Sequence, residues 1–209
     1  MKKMIFSALA LVVFGVSQAQ EIKYGAKAGL NISNVSGDIE NNKPLIGAHL
    51  GAFVEVKLTD KFAFQPELLF SMQGVKIDYS ESAVDYSYSY KEDNKINYLN
   101  VPLMAKYFAT EKLFLEAGPQ IGFVLSAKSD IEETETFMGI TDSFSGDVDI
   151  KDNLKSVDFG LNFGLGYEFT SQFFASARYN VGLTNINNAS GSSADLKNGV
   201  VQFSFGYKF

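Results

Sequence analysis

Apolar and polar residues alternate with a period of two along most of the chain after residue 20. The final segment is typical, because every second residue from Val201 to Phe209 is apolar and the residues between are Gln, Ser, Gly and Lys. Such alternation predicts β-strands with one apolar and one polar face. Eight segments show it, at residues 24–32, 46–58, 62–73, 98–107, 113–126, 157–169, 173–183 and 201–209. Each is long enough to cross a bilayer as a tilted strand of about 9–11 residues, and bacterial membrane barrels have even strand numbers.

The connections between these predicted strands alternate between short and long. The short ones are Thr59-Asp60-Lys61, Thr110-Glu111-Lys112 and Thr170-Ser171-Gln172, and the long ones span roughly residues 33–45, 74–95, 128–156 and 185–198. Outer-membrane barrels have short periplasmic turns and longer extracellular loops. The chain is therefore predicted to be all-β, as an eight-stranded antiparallel transmembrane up-and-down β-barrel with four long extracellular loops and three short periplasmic turns.

The first residues have the three parts of a secretory signal peptide. Lys2 and Lys3 form a basic start, residues 4–16 are almost continuously apolar, and Ser17 and Ala19 are small residues before a cleavage site. The apolar stretch is shorter than the about 20 residues that a transmembrane helix needs. We expect cleavage after Ala19, which gives a signal peptide at residues 1–19 and a barrel domain at residues 20–209. A retained anchor is the alternative.

Glycine distinguishes the two faces of the predicted barrel. Eleven of the 18 glycines share the polar face, as expected on the crowded inner wall of a narrow barrel. The charged strand residues are on the same face: Glu55, Glu67, Lys106, Glu116, Glu168, Arg178 and Lys208. With the polar face inside, the apolar face points outward, which only lipid makes favourable. The alternative is a soluble lipocalin-type barrel, whose apolar face would point inward.

The seven inward charges are the best-defined candidate site, and we predict that they form a polar network. Glu67 and Arg178 each lie six residues beyond a short turn, so both are expected near mid-height. A buried carboxylate without a partner is costly, so we expect ion pairs. A plug of ion pairs is favoured, because eight strands leave an interior just wide enough for side chains. The alternative is a gated polar path.

Aromatic residues of the apolar face gather beside the short turns and the C-terminus. We predict that they form the aromatic girdle at the periplasmic membrane interface. Its members are Phe62, Tyr107, Phe169, Phe173, Tyr207 and Phe209. A general enrichment of aromatic residues in strands does not explain this clustering at one end.

Composition excludes several classes of protein and site. The chain has no Cys and one His, which excludes disulfides and argues against metal centres. Its formal charge of −6 disfavours nucleic acid, because phosphate binding needs clustered Lys and Arg. His49 is predicted to point inward without a recognisable serine partner, so nucleophilic catalysis is not expected. We therefore predict that the protein is not an enzyme and has no cofactor or metal site.

Two of the long connections have distinctive compositions. Residues 128–156 contain eight Asp or Glu and three Lys, which favours a solvated acidic loop over a cation bridge to lipopolysaccharide. Residues 86–90, Tyr-Ser-Tyr-Ser-Tyr, keep the alternation. This pattern predicts that the third and fourth strands project beyond the membrane as a hairpin.

Three motifs resemble a known family. They are YLNVPLMAKY at residues 98–107, LEAGPQIG at 115–122 and DFGLNFGLGYE at 158–168. Together they resemble the PorT-type outer-membrane β-barrel domain over essentially the whole exported chain. The ending FSFGYKF, residues 203–209, resembles the terminal strand signal that the outer-membrane assembly machinery reads. The resemblance implies the fold and the location, whereas similar families range from transport and adhesion to secretion.

The sequence therefore predicts an outer-membrane barrel of structural or interaction type in a Gram-negative bacterium, with a plugged, charge-filled interior and acidic surface loops. Its expected partners are outer-membrane lipids and lipopolysaccharide, the assembly machinery during insertion, and an unidentified surface partner. Two alternatives remain open. One is a narrow channel for small solutes, and the other, from family analogy alone, is an accessory barrel of a protein secretion system.

Overall fold

The computed structural model describes residues 21–209, so the predicted signal peptide and its cleavage site lie outside the described residues. Most of this range is β-strand. The strands are β1 Ile22–Gly37, β2 Asn42–Lys57, β3 Phe62–Ala83, β4 Tyr86–Phe108, β5 Leu113–Phe137, β6 Ile140–Asp149, β7 Val157–Glu168, β8 Phe173–Gly182 and β9 Leu196–Lys208. A short 3₁₀ turn, Lys151–Asn153, follows β6. Within the described range, no helix is long and apolar enough to cross a membrane.

All strands except β6 form a closed antiparallel ring. Consecutive strands pair from β1 to β5 and from β7 to β9, and β5 also pairs with β7. The ring closes between the first and last strands, where Gly25 lies opposite Lys208 and Gly37 opposite Leu196. The predicted count of eight strands describes this ring but not the whole sheet, because β6 pairs with β5 outside it.

Strand pairing continues beyond the segments that the apolar alternation marked. The predicted loop at residues 74–95 is a hairpin of β3 and β4, and the predicted loop at 128–156 contains the end of β5 and all of β6. The predicted loop at 33–45 shortens to residues 38–41. The expectation of long loops was therefore wrong for residues 33–45 and 128–156, whereas residues 74–95 form the hairpin of the third and fourth strands that the alternation at residues 86–90 predicted. Strands that extend beyond a membrane meet water on both faces, so at residues 128–149 the apolar alternation ends although the backbone ladder continues.

The three short turns at the other end of the barrel are built in the same way. Thr59 Oγ1 accepts hydrogen bonds from the backbone N–H groups of Lys61 and Phe62, at 3.2 and 3.0 Å. Thr110 and Thr170 accept equivalent pairs of bonds in the other two turns. A hydroxyl that closes a turn on its own backbone explains the Thr at the start of each short connection.

Polar residues line the interior of the ring, and apolar residues of the same strands face outward. In β1, Lys27 and Asn31 are buried, whereas their neighbours Leu30 and Ile32 are exposed. On β2, the Ile46 side chain is 72% exposed. This inversion of the usual distribution is favourable when lipid surrounds the barrel. The candidate site is therefore the enclosed interior together with the outer surface at the two ends.

Candidate functional site

Glu67 is the centre of a buried ion cluster, which we call the upper cluster. Arg178 donates to it twice, from Nη1 to Oε2 at 3.1 Å and from Nη2 to Oε1 at 2.9 Å. Lys27 Nζ lies 2.6 Å from Glu67 Oε2, and Gln65 Nε2 donates to Oε1 at 2.8 Å. Arg178 Nε also donates to Glu116 Oε1 at 2.9 Å. The upper cluster therefore joins side chains from β1, β3, β5 and β8 across the interior through charge-assisted bonds.

Glu55 is the centre of a second ion cluster nearer the short turns, the lower cluster. Lys106 Nζ donates to Glu55 Oε2 at 2.7 Å, and Lys208 Nζ donates to Oε1 at 2.6 Å. Lys208 also contacts Glu168 Oε1 at 2.6 Å. Lys106 donates to Gln65 Oε1 at 3.1 Å, and Gln65 is bonded to the upper cluster as well. The two clusters are therefore one continuous network.

Cations and carboxylates balance in this network. Within residues 21–209, its ion pairs join four of each: Lys27, Lys106, Arg178 and Lys208 with Glu55, Glu67, Glu116 and Glu168. The structure thus brings together all seven charges that the sequence placed inside, and Lys27 is the member that sequence reasoning missed. Its polar position in the alternation of β1 was the available signal. Balanced pairing limits the cost of holding charge in a low-dielectric interior.

Phenylalanine rings close the interior at the short-turn end. Phe53, Phe114 and Phe174 are at most 3% exposed, and the Phe53 and Phe174 ring centroids are 5.6 Å apart. Each ring covers a glycine on the neighbouring strand, in the pairs Gly25–Phe53, Gly166–Phe114 and Gly206–Phe174. The Lys106 ammonium lies 3.9 Å from the Phe114 centroid, which is a cation–π contact. We call Phe53, Phe114 and Phe174 the apolar floor, and the lower cluster packs against it.

Apolar side chains from the connections cap the interior at the opposite, loop end. Ile186, between β8 and β9, is buried against Val35. Leu154, between β6 and β7, packs against the same group and against the apolar cluster around Tyr98. The Lys155 N–H donates to the Ile186 carbonyl at 2.8 Å, which joins the two connections. The polar network is therefore enclosed between two apolar layers.

His49 belongs to a hydrogen-bond chain that sequence reasoning missed. Its Nε2 lies 2.8 Å from Ser204 Oγ, and its Nδ1 lies 2.8 Å from Asn31 Oδ1. The expectation that no serine pairs with His49 was therefore wrong, because β9 meets β1 only when the ring closes. Serine, histidine and asparagine in this order resemble a hydrolytic triad. All three are at most 6% exposed, however, so the serine hydroxyl is closed to solvent.

The six aromatic residues of the predicted girdle lie on the outer surface near the short turns. They fall into two groups: Phe62 with Tyr107, and Phe169 with Phe173, Tyr207 and Phe209, joined through Phe205. Ring centroids are 5.2 Å apart in the first group and 4.9 Å apart for the closest pair of the second. Their role at a membrane interface stays a prediction.

A row of lysines crosses the outer surface near the loop end, and we call it the lysine row. Each lysine pairs with an aspartate on the next strand, as Lys43–Asp78, Lys76–Asp93, Lys95–Asp130 and Lys128–Asp147. Lys43 lies directly opposite Lys76, and Lys95 directly opposite Lys128, so like charges are cross-strand neighbours. Three of these lysines line a groove of about 360 Å³ beside Ile46. Cationic and apolar surfaces therefore meet at this level.

Comparison with protein families gives one match. The family described as outer membrane protein beta-barrel domain matches residues 17–188, a range that includes β1 to β8. No curated protein matches the chain.

Several solved structures are similar to the chain over most of its length. Ail from Yersinia pestis, crystallised with the heparin analogue sucrose octasulfate, is 17% identical, with 90% of this chain and 99% of that chain covered and a TM-score of 0.47. Neisserial surface protein A is 13% identical, with 92% and 100% covered and a TM-score of 0.47. OprG from Pseudomonas aeruginosa is 14% identical, with 90% and 95% covered and a TM-score of 0.42. At this distance no role is transferred from these proteins.

Proposed function

The chain belongs to the outer membrane protein beta-barrel domain family, and from this premise we propose that it is a sealed, non-enzymatic barrel of the Gram-negative outer membrane that presents an interaction surface to the outside. One observation carries the proposal. The ion clusters occupy the middle of the barrel, and apolar side chains close both ends. A barrel that serves as an anchor for a surface structure needs a filled interior, whereas a solute path needs continuous open space.

The geometry of the network favours this proposal over a narrow solute channel. A solute that passes mid-height has to separate Glu67 from both Arg178 and Lys27, all of which are buried. Breaking a buried ion pair costs about 3–5 kcal/mol, because it leaves an uncompensated charge. Each crossing would require that cost without any compensating contact visible in the structure.

Planar bilayer recordings test the sealed interior. The wild-type protein should give no conductance steps above those of a protein-free bilayer, with a porin of known conductance as the positive control. The double variant E67A/R178A removes the centre of the upper cluster and preserves the charge balance, so it should show an ion leak. Discrete conductance steps from the wild-type protein would contradict the proposal and favour the channel.

The membrane orientation follows the general rule that short turns lie in the periplasm. The lysine row then lies at the level of the outer-leaflet head groups, and its contact with lipopolysaccharide phosphate is part of the proposal. Adjacent cations beside an apolar wall suit such anionic lipids. Lipopolysaccharide that copurifies with the protein should fall in the variant K76Q/K95Q/K128Q. The matched control is K197Q, because Lys197 on β9 has an exposed pair with Asp195, away from the lysine row.

We propose that the protein has no enzyme activity because Ser204 is enclosed, and we interpret this serine as part of a structural hydrogen-bond chain. A fluorophosphonate probe should leave the folded protein unlabelled, and an adduct on Ser204 would contradict this.

Three finer parts of the proposal rest on sequence alone. They are cleavage of residues 1–19 as a signal peptide, insertion through a terminal signal at residues 203–209, and assignment to the PorT-type barrels.

A further inference from the structure

The ends of four strands form a sheet that projects beyond the ring at the loop end. It consists of residues 76–83 of β3, 86–95 of β4, 128–137 of β5 and all of β6. Its register makes rows of residues that share a face, because side chains directly across an antiparallel ladder point the same way. One such row is Tyr79, Tyr90, Glu133 and Phe144, and the next is Glu81, Tyr88, Glu135 and Asp142.

The two faces of the projecting sheet differ sharply in charge. The face defined by these rows, the aromatic–acidic face, carries tyrosines, phenylalanines and carboxylates, and the projecting residues of β3 to β6 place no Lys or Arg on it. The opposite face carries Lys76, Lys91, Lys95 and Lys128, and every salt bridge of this sheet lies there. Within residues 21–209, no ion pair involves Glu81, Glu92, Glu133, Glu135 or Asp142.

Tyrosines hold the carboxylates of the aromatic–acidic face in place. Tyr88 Oη donates to Glu133 Oε1 at 3.0 Å, and the Tyr79 and Tyr88 ring centroids are 6.2 Å apart. A recess of about 220 Å³ is lined by Glu133, Glu135, Asp142 and Phe144. Carboxylates beside aromatic rings suit ammonium and guanidinium groups, which combine salt bridges with cation–π contacts.

β6 is a free edge of this sheet and is exposed along its whole length. All ten of its residues are exposed, and the apolar ones include Ile140 at 77% and Phe144 at 61%. The Ile150 N–H donates to Ala127 of β5, whereas the Ser143 N–H donates to its neighbour Asp142. Because backbone direction alternates along a strand, the odd-numbered N–H groups of β6 point away from β5. Exposed edges of this kind are templates for a further strand.

We propose that the free edge of β6 and the aromatic–acidic face together bind an extended segment of a partner protein that is rich in lysine or arginine. The segment adds to the sheet as a strand, and its cationic side chains meet Glu133, Glu135 and Asp142. This inference rests on the proposed function, since it identifies the chemistry of the surface partner. A second copy of the chain is a poor occupant, because it would set the same carboxylates against each other.

Fluorescence anisotropy with defined peptides tests the proposal. The probe is a labelled ten-residue peptide of alternating lysine and valine, added to the purified protein in nanodiscs, and the comparison peptide replaces lysine with glutamate. The wild-type protein should bind the lysine peptide and not the glutamate peptide. The variant E133Q/E135Q should bind it about tenfold more weakly, because two salt bridges are lost. Glu132 lies on the opposite face of β5, so E132Q is the matched control and should bind like wild type.

A second variant isolates the contribution of the edge. Proline at Ser145 removes an N–H that points away from β5, so S145P should weaken binding while the pairing with β5 persists. The altered mobility of the unboiled protein on a gel verifies that each variant retains the barrel. Equal binding to all variants, binding of the glutamate peptide, or self-association abolished by S145P would overturn the inference. Bilayer conductance is measured separately, so failure of the peptide test and failure of the sealed-barrel proposal are distinguishable.

Discussion

Replacement of Arg178 by methionine tests how the interior holds the barrel together. Methionine has a similar length and no charge, so the change removes the guanidinium and keeps much of the volume. Glu67 then loses two hydrogen bonds but keeps Lys27 and Gln65. Glu116 loses its ion-pair partner and is only 4% exposed. The variant therefore leaves a single buried carboxylate uncompensated.

The expected cost follows from that stranded charge. Removing one member of a buried ion pair lowers the free energy of unfolding by about 3–5 kcal/mol. The double variant R178M/E116Q neutralises the stranded carboxylate and should recover about 1–2 kcal/mol. The control is K76M, which breaks an exposed pair with Asp93 and should cost about 0–1 kcal/mol.

Urea unfolding in lipid vesicles provides the measurement. The chain has no Trp, so far-UV circular dichroism and the mobility of the unboiled protein on a gel replace tryptophan fluorescence. Equal stability of R178M and K76M, within about 0.5 kcal/mol, would show that a hydrated interior solvates each charge independently, contrary to the expected cost. A double variant no more stable than R178M would show that Glu116 is not the stranded charge.

Three further predictions concern the floor, the terminus and the projecting sheet. G166A and G206A should each lower the free energy of unfolding by about 1–3 kcal/mol, because a Cβ would overlap the Phe114 or Phe174 ring. The control is G146A at an exposed position, and urea midpoints equal to that of wild type would contradict the packing. Deletion of Phe209 should lower outer-membrane levels of the protein far more than F205L does, because leucine keeps the lipid contact whereas deletion removes the terminal signal. Equal levels of both variants and wild type in membrane fractions would show that Phe209 acts only as a girdle residue. Burial and the hydrogen bond to the Glu92 carboxylate raise the pKa of Tyr90 to about 12. The phenolate absorbance of Tyr90, identified as the signal that is missing in Y90F, should therefore develop well above pH 10. In E92Q that pKa should fall towards the usual value of about 10, since both the bond and the negative charge favour the neutral phenol, and an unchanged titration would contradict the contact.

The local pattern of the sequence was sufficient for the strands and their faces. Side chains alternate between the two faces of any strand, so the parity of Glu55 or Arg178 determines which face it shares without knowledge of its partners. The same parity placed the girdle residues outside. It failed at residues 128–149, where water on both faces removes the apolar signal and a loop was expected, whereas the alternation at residues 86–90 did predict the hairpin of β3 and β4.

Pairing between distant residues was decided by the tertiary structure alone. Glu67 and Arg178 are 111 residues apart, and His49 and Ser204 are 155 apart, so their contacts depend on the strand order and on ring closure. Strand register also determines that Gly166 lies beneath the Phe114 ring and that the carboxylates of the projecting sheet share a face with its tyrosines. Alternation is a property of each strand by itself and can be read along the chain. Which residues meet depends on how the strands align, and alignment is set by packing and hydrogen bonding over the whole barrel.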